Sequence, residues 1–291
     1  MNVRRPIVTG QFYSGDFEKL EEEIKETFLS KFGPGDLPIK KRDKKIFGII
    51  SPHAGYKFSG PCQAWSYKEI AESRMPETYV ILGPNHTGLG SNFSMYYEAN
   101  WETPFGIVKV DDLLGRSLLK KCRFLQNDVM AHLHEHSIEV QLPFLQYVNK
   151  DSLKDLKFLP ISISNFSIEN CKKLAEAIVE SNKNINIIVS SDFTHYGENY
   201  KYTPFTYNKK ENLYELDNEA MDFIKNLDSE GFFNFVEKKK TTICGVGPII
   251  VAIEACKLLG AKKARLLHYY TSGDVTDDYN NAVGYGGLVF E

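Results

Sequence analysis

Apolar positions recur along the chain in two patterns. Over 16–32, Leu20, Ile24 and Phe28 repeat every four residues, the stripe of an amphipathic helix. Asp16 is placed to cap it, and Gly33-Pro34-Gly35 to end it. Helices are likewise predicted over 60–72, 137–148 (interrupted or bent at Pro143), 168–180, 212–226 and 229–238. A wholly apolar helix over 247–259 stops at Gly260. Between them lie short Ile/Val/Leu runs of strand length at 46–50, 79–82, 156–162, 185–189, 264–270 and 283–290. Segments 93–99 and 105–110 resemble strands around a Trp-Glu-Thr-Pro turn. Such alternation predicts an α/β fold, with a central mixed, largely parallel sheet flanked by helices. Continuous apolar runs fit strands covered on both faces. No break in composition divides residues 1–291, so one domain is expected.

Composition narrows the classes. The chain has 291 residues, 42% hydrophobic and 25% charged, within the globular range. Its 35 basic and 38 acidic residues leave a net charge of -3, which gives no electrostatic case for nucleic acid or an anionic membrane. The basic run at 40–45 reads as a solvated loop before a strand. No apolar run approaches the ~20 residues of a membrane helix. The first eleven residues lack a long apolar core, so no secretory signal is expected. Five scattered cysteines, at 62, 122, 171, 244 and 256, read as reduced thiols of a cytoplasmic protein. The tyrosine-rich stretch 196–214 suggests a surface excursion or lid. Oligomeric state is left open.

Candidate chemistry follows the apolar runs. The 46–50 run leads into Pro52-His53, the 79–82 run into Pro84-Asn85-His86, and the 185–189 run into Asp192-Phe193-Thr194-His195. Ligands of open α/β sheets bind beyond the carboxyl ends of the strands. Parallel neighbours would therefore bring His53, His86, Asp192 and His195 to one crevice. The segment His132-Leu133-His134-Glu135-His136 has a spacing poorly suited to one metal on one helix. It reads as a loop that brings only His136 near the site, with His132 and His134 exposed and Ser137 capping the next helix. Cys244 stands just before the 247–259 helix, where a lowered thiol pKa favours a nucleophile or metal ligand. The other cysteines read as buried small hydrophobes or carry no signal. A dinucleotide fingerprint, a Walker lysine, a Gly-x-Ser-x-Gly elbow and a Cys-x-x-Cys pair are all missing from the sequence.

Several longer motifs are specific. They are Pro-His-Ala-Gly-Tyr at 52–56, Gly-Pro-Asn-His at 83–86, Trp-Glu-Thr-Pro-Phe-Gly at 101–106 and Glu-His-Ser-Ile-Glu-Val-Gln-Leu-Pro-Phe at 135–144. To these add Ser-Ser-Asp-Phe-Thr-His-Tyr at 190–196 and Cys-Gly-x-Gly-Pro at 244–248. Arg5-Pro6, Gly10-Gln11-Phe12-Tyr13 and Gly284-Tyr285 also match. Together they resemble the Memo family, named for a eukaryotic mediator of ErbB-driven cell motility, over nearly the whole chain. The resemblance implies a fold similar to class III extradiol dioxygenases, which use non-haem iron. It implies a metal held at His53, His86 and Cys244, with Asp192 and His195 alongside. Iron or copper is favoured, with zinc possible. A thiolate would stand where the dioxygenases use a carboxylate, and its oxidisability weighs against ring cleavage.

On this reading the protein is a metal-dependent redox protein. Asp192 would orient an imidazole, His195 would act as general acid or base, and His136 would form a further polar wall. The alternative is a non-enzymatic module that binds a phosphorylated or anionic peptide in the same pocket, as eukaryotic members are linked to a phosphotyrosine segment. Only seven of the 35 basic residues are arginines, and no Arg cluster supports it. A third reading makes 196–214 a protein interface. The substrate or peptide partner is not named by the sequence.

Overall fold

A computed structural model describes residues 2–39 and 42–291. The strands are β1 (Asn2–Arg4), β2 (Gly48–Ser51), β3 (Thr78–Pro84), β4 (Phe93–Met95), β5 (Ala99–Thr103), β6 (Gly106–Val110), β7 (Gln126–Asn127), β8 (Lys157–Ile163), β9 (Ile185–Ser190), β10 (His195–Gly197), β11 (Ala264–Thr271) and β12 (Asn281–Phe290). The helices are α1 (Phe17–Leu29), α2 (Tyr56–Glu72), α3 (Asp112–Lys121), α4 (Met130–Leu133), α5 (Gln141–Val148), α6 (Ile168–Ser181), α7 (Lys209–Lys225), α8 (Ser229–Lys239), α9 (Val246–Leu259) and α10 (Ser272–Thr276). The main sheet runs β1-β5-β6-β8-β3-β9-β2-β12-β10, with β11 paired to β12 and β4 to β8. Its centre, β6-β8-β3-β9-β2, is parallel throughout. β12 joins β2 antiparallel, so the sheet is mixed. The expected α/β architecture is the observed one.

The apolar runs at 46–50, 79–82 and 185–189 become β2, β3 and β9, every residue of which is buried. Helix α9 is apolar on all sides because it packs against both α6 and these strands. It ends at Gly260, whose φ of 110° lies in the left-handed region. Helix α1 is capped as expected, the Asp16 carboxylate accepting from the Lys19 N–H at 3.0 Å.

Three expectations fail for tertiary reasons. Helix α2 begins at Tyr56, four residues before the expected 60, because Tyr56 is buried against Phe144 and Tyr13. Trp101, Glu102 and Thr103 are strand rather than turn, since β5 pairs with β6 and the chain reverses at Pro104-Phe105. Residues 137–140 form turns before α5, which starts at Gln141. Pro143 thus sits in a first turn, where its missing N–H breaks no bond, instead of bending a longer helix. Of the basic run, Lys40 and Lys41 lie outside the described residues. Arg42 pairs with Asp151 at 2.9 Å, and Lys44 with Glu72 at 2.6 Å. Among the described residues, no helix is long and apolar enough to cross a membrane.

Candidate metal centre

His53, His86 and Asp192 each stand two residues past the carboxyl end of a strand, β2, β3 and β9 respectively. These strands are parallel neighbours in the order β3-β9-β2, so equal offsets place the three residues side by side. His136 comes from the other side, on the turn between α4 and α5. The ring centroids are 5.2 Å apart for His53 and His86, 5.5 Å for His53 and His136, and 4.9 Å for His86 and His136. One nitrogen from each ring can be chosen so that all three lie within 4.8 Å of one another.

Hydrogen bonds fix which nitrogen that is. Ser190 Oγ donates its one proton to the Ser137 carbonyl at 2.6 Å and accepts from Gln141 Nε2 at 2.9 Å. Its contact with His53 Nδ1, at 2.9 Å, must therefore be one it accepts. His53 carries its proton on Nδ1 and offers the lone pair of Nε2. Glu135, which is buried, orients His86 in the same way through Nδ1 and lies close to His136. Its Oε1 lies 3.0 Å from His86 Nδ1 and 3.4 Å from His136 Nδ1. It also accepts the main-chain N–H groups of His86 and Ser137 at 2.5 and 2.9 Å. A carboxylate or hydroxyl behind each imidazole is how metal-ligating histidines are held in one tautomer.

Charges follow the geometry. Burial would lower the pKa of His86, but its hydrogen bonds to Cys244 and Glu135 outweigh burial and raise it to about 10. Burial would raise Glu135, but the imidazoles of His86 and His136 hold it at about 2. Burial, with the neighbouring imidazoles, pushes His53 well below the usual histidine range, and burial also lowers His136.

Cys244 reaches the same point from the start of α9. Its Sγ lies 3.4 Å from His53 Nε2 and accepts the Asp192 N–H at 3.2 Å. Gly245 lets this loop approach, since a Cβ there would lie 2.4 Å from Ser191. The expected lowering of the thiol pKa is not found. Burial and the nearby Asp192 push it up, and His86 offsets them only in part. A bound cation would reverse this, because a coordinating thiol is deprotonated outright.

Asp192 touches His53 through the main chain, its Oδ1 accepting the His53 N–H at 2.8 Å, while the ring is oriented by Ser190. Burial raises the Asp192 pKa. His195 turns Nδ1 toward the carbonyls of Phe193 and Thr242, both at 3.1 Å, so Nδ1 carries the proton. It lines a cleft of about 770 Å³ with His53, His86, His136 and Asp192. Phe12, Phe58, Tyr200 and Tyr285 give the cleft an aromatic wall, and its lining includes no Lys or Arg.

The sequence reading missed the residues that hold the turn in place. Arg4 is buried, and its guanidinium pairs with Glu139 at 2.6 Å and donates to the carbonyls of His132 and Glu135 at 3.0 and 2.7 Å. Glu139 also accepts from Tyr13 Oη and the Val8 N–H. A lone Arg near an N-terminus carries no local sign of burial. His132, expected to be exposed, is buried beside Trp101 because α4 turns it inward. Burial and the Arg4 charge hold its pKa at about 3. His134 is exposed as expected. Ser137 does not cap a helix, since its Oγ donates to the Pro84 carbonyl at 2.9 Å and ties the turn to the end of β3. The tyrosine-rich stretch is only partly an excursion: Tyr196 is buried and stacks on Phe205, whereas Tyr207 is exposed.

Comparison with known proteins accords with this picture. A family model described as Memo-like protein matches residues 4–289. The chain is 43% identical over 292 residues to a MEMO1 family protein of Methanopyrus kandleri, covering 99% of this chain and 98% of that one. It is 42% identical over 294 residues to one of Pyrococcus furiosus, covering 99% and 98%. Among solved structures, an uncharacterized protein of Escherichia coli K12 aligns with a TM-score of 0.52 at 11% identity, over 84% of this chain and 100% of that one. That likeness concerns the fold alone. The match along almost the whole sequence places this chain in the Memo family.

Proposed function

We propose that the cleft is a metal-dependent redox centre that binds iron or copper through His53, His86 and Cys244, with His136 as a further imidazole donor. The observation that carries this reading is the contact of the Cys244 Sγ with His53 Nε2 at 3.4 Å, beside the three-histidine cluster of His53, His86 and His136. Neutral imidazoles suit iron, copper and zinc alike, and a soft thiolate shifts the preference toward copper or an iron site open to redox change. The metal, when bound, would supply Lewis acidity and one-electron chemistry.

The protein's own groups have separate tasks. Ser190 and Glu135 engage Nδ1 of His53 and His86, which turns Nε2 of each ring toward the site. Asp192 fixes the His53 main chain. His195, with Nδ1 committed to two carbonyls, presents Nε2 to the cleft as a proton acceptor or donor. The aromatic wall excludes water from one side. The competing reading, a pocket for a phosphorylated or anionic peptide, is disfavoured by a lining that carries Asp192 and Asp278 and no Lys or Arg.

Metal content by mass spectrometry on anaerobically purified protein tests the proposal. Near-stoichiometric iron or copper in the wild type, lost in both His53→Ala and Cys244→Ala, is the expected result. Wild-type protein that holds no metal and takes up no added Fe(II), Cu(I) or Zn(II) would overturn it. Zinc retained by all three would favour a hydrolytic site built on the imidazoles alone.

A further inference from the structure

A second pocket lies at the opposite end of the parallel strands. It has a volume of about 400 Å³ and sits where the chain enters β2, β3 and β9. Its floor includes the Phe47 ring and Leu259. Three cationic side chains, Lys45, Arg74 and Lys183, line it, and no carboxylate does. Lys45 Nζ lies 4.9 Å from the centre of the Phe47 ring. None of the three forms an ion pair among the described residues. Of the acids nearby in sequence, Glu69 and Glu72 pair with Lys44, and Glu77 accepts from Asn182 Nδ2.

A neighbouring surface cleft serves as an internal control. It is of similar size, about 360 Å³, but its lysines are neutralised from within. Lys172 pairs with Glu230 at 2.5 Å and Lys257 with Glu254 at 3.4 Å. A chain of net charge -3 thus gathers three positive charges, with no ion pair among the described residues, around one hollow that includes the Phe47 ring and Leu259. The wall also holds Asn186, only 2% exposed. Its Nδ2 donates to the Ile46 carbonyl at 3.2 Å, while its Oδ1 has no partner.

We infer that this pocket is a binding site for a small amphipathic organic anion: a phosphate or carboxylate joined to an aromatic or aliphatic body. The anionic head meets Lys45, Arg74 and Lys183. The body lies on Phe47 and Leu259, where burial of apolar surface adds to affinity. The site is separate from the histidine cleft and does not depend on metal.

The probe is phenyl phosphate, titrated into the full-length protein and followed by amide chemical shifts. Saturable shifts confined to 45–47, 74–75, 183–186 and 259 are expected, with a Kd at least about tenfold below that of inorganic phosphate, the gain a buried ring supplies. The double variant Arg74→Glu/Lys183→Glu, altered at two exposed positions, should keep a dispersed folded spectrum and lose these shifts. Equal affinity for inorganic phosphate overturns the amphipathic assignment. Shifts centred on His53, His86 and His136, persistence in the double variant, or no saturable response overturns the site.

Discussion

At the carboxyl ends of β2, β3 and β9, polar groups are held by others behind them. Ser190 orients His53, Glu135 orients His86 and lies close to His136, and Arg4 and Glu139 brace the turn that carries two of these residues. At the amino ends of the same strands, Lys45, Arg74 and Lys183 surround their pocket without an ion-pair partner among the described residues. The difference follows from what each end would bind. A metal needs lone pairs in fixed directions, so tautomers and ring planes must be set before it arrives. An anion needs positive potential and tolerates mobile side chains. The first kind of site costs buried polar structure, whereas the second leaves the fold almost untouched.

Removing the bracing breaks this contrast most severely. Arg4→Met leaves Glu139 buried without its cation, which should cost about 3–5 kcal/mol in urea unfolding. Arg4→Met within 1 kcal/mol of wild type would mean that the N-terminal strand does not secure the turn.

A pH effect of similar size belongs to Asp217, which is buried behind the Asp192–His195 segment. It accepts from Tyr269 Oη at 2.6 Å and from the Thr194 N–H at 3.2 Å. Burial raises its pKa from 3.8 to about 6, although those hydrogen bonds pull the other way. The folded state therefore holds this proton more tightly than the unfolded chain. The stability it contributes is fully present below about pH 4 and is lost as pH rises through about 6, a swing of about 3 kcal/mol. Asp217→Asn cannot ionise. Wild type should thus lose about that much relative to the variant between pH 4 and 7, and unfolding curves that shift in parallel would refute the assignment.

Glu135→Gln acts on the imidazoles from behind and changes no donor atom. It removes the charge behind two imidazoles and should weaken metal binding by about 10–100-fold, with His53→Ala worse. Equal affinity in a competition titration would show that the imidazoles need no carboxylate. At the other end, Arg74→Met should change stability by no more than about 0.5 kcal/mol, as at most exposed positions. A larger loss would mean that the cations are structural.

Legibility divides along the same line. His53, His86, Asp192 and His195 could be found because each follows a recognisable apolar run, a local signal. The parallel order that joins them follows from alternating strands and helices. His136 was placed near the site by its turn, but its alignment with His86 depends on Glu135 and was not readable. Arg4 and Glu139 are 135 residues apart, and neither residue type signals a buried pair. His132 misled because spacing alone does not say which way a four-residue helix turns its side chains. The helix N-terminus predicts a lowered thiol pKa at Cys244, and burial overrides it.

The central claim concerns the donor set, and X-ray absorption at the metal edge of anaerobically loaded protein reads it directly. The account predicts imidazole nitrogens and one sulfur in the inner coordination shell. The sulfur should vanish in Cys244→Ser, and the imidazole scattering should weaken in His53→Ala. A shell of oxygen alone, with neither imidazole nor sulfur, would contradict it.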